Sequence, residues 1–174
     1  MTPTLTIPTL TTDRLVLRAP KITDFPHWAA FFASPRSIHE RGMMDRSQAW
    51  RVWASDVAIW QLRGYGPFGV DDRETGAYLG EVGIYEPDSF PEPELGWFVV
   101  PQAEGRGIAA EAARAVMGWA RDSLGWTRLI NIIDPENARS IALGQRLGGV
   151  IDPDAKGEDP GDVVIVHDLT KVPA

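Results

Sequence analysis

The chain has 174 residues, 44% hydrophobic and 24% charged, a mix that one globular domain can fold around a single core. It has no cysteine, which excludes disulfides, a thiolate nucleophile and any zinc or iron–sulfur site built on cysteine, and which fits a reducing compartment. Lys plus Arg is 17 and Asp plus Glu is 24, so the net charge is −7, a poor basis for binding nucleic acid or an anionic membrane; the charge suits a cationic small substrate, or serves solubility alone.

Residues 1–8 hold no basic segment followed by an apolar run, and no apolar stretch nears the length of a membrane span. The expected location is therefore the cytoplasm. Residues 14–19 read as a first strand. Thr23 is a candidate N-cap for a short helix over 24–33, where Phe25, Trp28, Ala29 and Phe32 recur at helical spacing. Ser47 is a candidate cap for a second helix. Its Trp50, Trp53, Val57 and Trp60 share one face, either packed on a sheet or forming a wall of an acceptor pocket. Strands are expected at 68–71 and 77–86, joined by the turn cluster Asp72 to Gly76, and at 94–100 after a proline-rich loop. A helix over 106–123 follows, with Gly125 as its C-cap, then a strand at 129–133. Asn137 caps a last helix that stops at Gly148-Gly149, and Val150-Ile151 and 163–169 supply the final strands. Strand–helix–strand over 94–134 needs a parallel pair, whereas the strands before it can be antiparallel. The expected architecture is a mixed α/β sheet with helices on both faces, in one domain over 1–174 with its core at about 10–169. The histidines, His27, His39 and His167, are far apart in no metal spacing, so no metal site is expected.

The most informative segment is Pro101-Gln-Ala-Glu-Gly-Arg-Gly-Ile-Ala-Ala. Gly105 and Gly107 lie between a strand and a helix, where missing side chains let a ligand approach the backbone and the first helical turn offers free N–H groups. A pyrophosphate fits such a place. A tight turn needs only one glycine. There is no Gly-Lys-Ser/Thr, which excludes a nucleotide-hydrolysing loop. Gly105-x-Gly107-x-x-Ala110, with Asp134 ending the next strand, also matches the dinucleotide fingerprint, but four residues separate strand from glycine and only 67 follow Gly107.

Four motifs in order make the chain resemble the GNAT acetyltransferase superfamily. They are Gln102-Ala-Glu-Gly105-Arg-Gly107, Gly80-Glu81-Val-Gly83, Glu94-Leu-Gly96-Trp97 and Asp134-Pro-Glu-Asn137-Ala-Arg-Ser140. The opening Leu10-Thr-Thr-Asp-Arg14-Leu-Val-Leu-Arg18 is similar to the branch with ribosomal-protein N-terminal acetyltransferases. The resemblance implies a mostly antiparallel sheet in which the family's fourth strand (94–100 here) splays from its fifth (129–133), with acetyl-CoA as cosubstrate and no metal. It implies that Phe98, Val99 and Val100 pair with pantetheine, that Gln102 and Gly105, Arg106, Gly107, Ile108 and Ala109 hold the pyrophosphate, and that Asn137 and Ser140 contact the CoA arm.

The implied chemistry is direct transfer of acetyl to an amine, without nucleic acid or membrane. Glu94 is the first choice for general base and Glu81 the second; the N–H of Val99 would hold the oxyanion. The acceptor is a small-molecule amine or a peptide N-terminus, in a pocket expected from Trp28, Phe31, Trp50, Trp53, Tyr85 and Trp97. The resemblance allows a homodimer. It departs from the family at Gly144, where many members carry a tyrosine that protonates the leaving thiolate, and at Gly149, where phenylalanine is usual; Ser140 and Tyr85 are the substitutes for that acid. A CoA-binding sensor without chemistry and a dinucleotide-dependent oxidoreductase are the alternatives.

Overall fold

The computed structural model describes residues 6–172. Its eight strands are β1 (Leu10–Thr11), β2 (Leu15–Arg18), β3 (Pro67–Asp72), β4 (Tyr78–Tyr85), β5 (Glu94–Val99), β6 (Arg128–Ile133), β7 (Val150–Ile151) and β8 (Val163–Asp168). They form one sheet in the order β1-β2-β3-β4-β5-β6-β8-β7, antiparallel at every step except β5–β6. The link across that parallel step is α3 (Ile108–Leu124). The other helices are α1 (Phe25–Phe32), α2 (Arg46–Arg63) and α4 (Ala138–Arg146). No helix among the described residues is long and apolar enough to cross a membrane.

Residues paired between β4 and β5 share a face, and the two faces differ in chemistry. Val82, Ile84 and Leu95 meet the α3 stripe of Ala112, Ala113, Val116, Met117 and Ala120. These small alanines let α3 lie close to the sheet, and each buried Val or Met side chain stabilises by roughly 1.5–3 kcal/mol. Glu81, Tyr85 and Phe98 lie on the other face, toward α1 and α2, where Phe25, Trp28, Ala29, Phe32, Ala49, Trp53 and Phe98 cluster.

Two helix starts differ from the sequence reading. α2 is capped by Asp45, not Ser47: its carboxylate accepts the N–H of Gln48, and the Gln48 side chain accepts the N–H of Asp45. Thr23 lies in a 3₁₀ turn (Ile22–Asp24) before α1, because Asp24 turns inward to Arg18. Arg18 also pairs with Asp71, so a buried guanidinium between two carboxylates joins β2, β3 and that turn.

Candidate active site

β5 and β6 share a single registered pair, Glu94 with Ile130, and then part. Side chains span the gap where ladder bonds stop. The amide of Asn131 donates to the Leu95 carbonyl, and its Oδ1 lies 2.6 Å from His167 Nε2. Since Nδ2 of Asn131 is a donor, Oδ1 is the acceptor and Nε2 of His167 carries the proton. Burial pushes His167 down to about 4, so its ring is neutral at pH 7. Glu94 Oε1 accepts the N–H of Ile132 at 3.1 Å.

The N–H of Val100 is bonded to Leu79 on β4, so strand alternation turns the peptide groups of Trp97 and Val99 toward the gap. Of Phe98, Val99 and Val100, only Val99 therefore offers a free edge; Phe98 and Val100 face β4, and Trp97, expected in the acceptor pocket, shares the free edge with Val99.

A cleft of about 930 Å³ opens along this edge. That is near the upper end of small-molecule pockets and matches a large cosubstrate. Phe98, Val99, Gly105, Gly107, Ile108, Ala109, Asn137 and Ser140 line it, with Phe31 stacked on Phe98 at 5.0 Å. Gly105 and Gly107 have φ of +70° and +73°, in the left-handed region that favours glycine. Gly107 caps α3 without a side-chain bond, so the first-turn N–H groups are free for an anion. Arg36, Arg139 and Arg146 also line the wall, the first two paired with Glu104. Three expected residues fall outside: Val100 is sealed against β4, Gln102 sits on an exposed turn, and the Arg106 side chain points to Asp72 at 3.7 Å. Asn137 Oδ1 accepts the Ser140 N–H, so it is a helix cap on the cleft wall.

A smaller cavity of about 160 Å³ adjoins the cleft. His39, Glu40, Trp97, Asn137 and Ser140 line both, so the two meet at the gap. Glu94 faces the smaller cavity, and burial pushes its carboxyl up to about 8. The Trp97 indole donates to Ser140 Oγ at 3.4 Å at the junction.

Glu81, the second candidate base, is 1% exposed and lines neither cavity. Tyr85 donates to its Oε1 at 2.9 Å and Trp53 to its Oε2 at 3.2 Å. Burial pushes it up to about 8, like Glu94. Its place is the end of a network in which Arg41 pairs with the buried Asp56 at 2.8 Å and lies over the Tyr85 ring. Tyr85 can run beside β5 only because position 96 is glycine: a Cβ there would come within 2.8 Å of its ring.

The expected aromatic wall is thus mostly core. Trp28, Trp53 and Tyr85 are buried under α1 and α2, and Trp50 is exposed outside both cavities; Phe31 and Trp97 are the members that line a site. Arg41, Asp56 and Asn131 escaped the sequence reading because each acts through partners at least 15 positions away. Spacing also hid a group of metal-ligand type: His39, Asp134 and Glu136 bring donor atoms within 4.8 Å of one another.

Position 144 explains the family departure. A Cβ at Gly144 would lie 2.7 Å from Ile165 Cδ1 and 3.0 Å from Asn131 Oδ1, so a tyrosine there would have to displace both side chains. At Gly149 a Cβ would lie 2.6 Å from the His167 ring, which fills that space instead.

The acetyltransferase (GNAT) domain family model matches residues 14–150. The chain belongs to the GNAT acetyltransferase family. A crystal structure of an acetyltransferase from Agrobacterium tumefaciens str. C58 is 41% identical, with a TM-score of 0.89 over 96% of this chain and 98% of that one. The uncharacterized N-acetyltransferase YoaA of Bacillus subtilis (strain 168) is 26% identical over 147 residues, 81% of this chain and 82% of that protein. The ribosomal-protein-S5-alanine acetyltransferase of Vibrio fischeri shares the fold, with a TM-score of 0.70 over 97% of this chain and all of that one, at 17% identity. The mostly antiparallel sheet, with its one parallel step, is that of this GNAT family, and a dinucleotide fold would need a largely parallel one.

Proposed function

We propose that this GNAT domain is an N-acetyltransferase that moves acetyl from acetyl-CoA directly to a primary amine. The observation that carries the reading is Glu94: a half-buried carboxyl raised to about 8, in a small cavity that opens onto the cleft where β5 leaves β6. Gly105, Gly107 and the α3 N-terminus fit the pyrophosphate, and the free edge of Trp97 and Val99 fits an amide-bearing arm. Acetyl-CoA supplies the activated acyl group. Glu94 takes the proton that the attacking ammonium must lose. The Val99 N–H, turned into the gap, stabilises charge developing on the carbonyl oxygen. As the carbon–nitrogen bond forms and the carbon–sulfur bond breaks, the Ser140 hydroxyl at the junction is placed to hydrogen-bond the departing thiolate, in place of the missing tyrosine. Tyr85 does not serve, since its hydroxyl is committed to Glu81.

The test is Glu94→Gln. Acetyl-dependent thiol release over a panel of amines should fall about 10²–10⁴-fold, the usual weight of a positioned base, with CoA affinity unchanged. Tight acetyl-CoA binding by the wild-type protein with no turnover of any amine would instead favour the sensor reading, which the blocked position 144 motivates.

A further inference from the structure

If the small cavity receives the acceptor, as the reading above holds, its walls say which amine it takes. We propose that the acceptor is a slim aliphatic amine with a second positive charge, its reacting nitrogen at Glu94 and its second cation at the rim formed by Glu158, Asp159 and Asp162.

Six carboxylates line this cavity against one arginine and one histidine. The arginine, Arg41, is already neutralised by Asp56 at 2.8 Å, and His39 lies 3.4 Å from Asp134, which leaves five carboxylates of the six. Among the described residues, Glu40, Glu158, Asp159 and Asp162 enter no ion pair with the protein. The rim is nonetheless ordered: Ser89 donates to Glu158 at 2.7 Å, and the Asp159 N–H donates to Asp162 at 2.7 Å.

Glu94 is an independent mark at the deep end. The residue is half-buried and lines the cavity, Oε1 accepts the Ile132 N–H, and Oε2 has no hydrogen-bond partner among the described residues. The reacting nitrogen must be neutral when it attacks, so a monoamine arrives with one charge and gives it up. The rim carboxylates keep a counter-ion through the reaction only if the acceptor carries another. The volume, about 160 Å³, is well under the roughly 300 Å³ where drug-sized pockets begin, which favours an unbranched chain over a folded peptide end.

The experiment compares cadaverine with n-pentylamine, equal in length and differing by one charge. Each is titrated calorimetrically into CoA-loaded protein and assayed for thiol release from acetyl-CoA. Cadaverine should bind about fivefold or more tighter, the weight of one partly screened ion pair, and lose that margin at high ionic strength. Asp159→Asn, and separately Glu158→Gln, should narrow the margin; both are exposed positions where the fold should tolerate the change. Equal binding of the two amines, a margin unmoved by both variants, or tighter binding of a free peptide N-terminus each overturns the proposal. The outcomes also separate it from the acetyl-transfer reading. Selective cadaverine binding without thiol release sinks acetyl transfer and keeps the charge assignment. Equal turnover of both amines with equal KM does the reverse.

Discussion

Glu94 Oε1 accepts the N–H of Ile132 at 3.1 Å, across strands that have otherwise parted. The candidate base is thereby anchored to the far side of the gap. One oxygen fixes its position and the other has no hydrogen-bond partner among the described residues.

The pH profile should follow from this carboxyl. Glu94 acts only when ionised, and burial holds it protonated up to about 8. kcat/KM should therefore rise with pH through about 8, and residual turnover in Glu94→Gln should lose that step. A wild-type profile that is flat between pH 6 and 9, a window that spans the expected midpoint, would contradict the assignment.

Glu81 offers a stability test free of catalysis. Its folded-state value of about 8 exceeds the ordinary 4.5, so the folded protein holds the extra proton between these limits. Its contribution is fully present below about 4.5 and is lost as pH rises through about 8. Glu81→Gln should make the melting temperature less sensitive to pH across that window, as read by calorimetric scans.

Gly107→Val should weaken acetyl-CoA binding at least tenfold, measured by titration. Valine at φ of +73° costs on the order of 1–3 kcal/mol and crowds the free N–H groups of the α3 start. Gly42→Ala, at φ of +74° in open space outside both cavities, is the control for backbone strain alone.

Asn131→Leu should destabilise the fold by about 2–4 kcal/mol in urea unfolding, because it leaves the Leu95 carbonyl and the His167 N–H buried without partners. The wild type should also lose stability as pH falls from about 6.5 to about 4, since His167 is protonated in the unfolded chain first and in the folded one last.

Gly144→Tyr should not supply the missing acid. The ring would have to displace Ile165 and Asn131, at a cost of roughly 1–3 kcal/mol or more, so thiol release should stay level or fall while the melting temperature drops.

Much of the frame was legible in the residue order. The α3 stripe, the strands around the Asp72 to Gly76 turn, the Asn137 cap and the paired glycines all rest on spacing within one element, where neighbours in sequence are neighbours in space. Glu94 came from the family resemblance, and nothing in its local sequence separates it from Glu81. Both sit on strands with carboxyls raised to about 8, yet one faces a cavity and the other is enclosed by Trp53 and Tyr85. Which tryptophans are core, that Arg41 meets Asp56, and that Asn131 joins Leu95 to His167 depend on contacts between distant segments. By itself the sequence determined the element order and the glycine turn that opens α3, because periodicity, caps and glycine backbone freedom are local properties. Only the tertiary structure decided which carboxyl lines a cavity, because burial and charge are set by whatever the rest of the chain packs around each group.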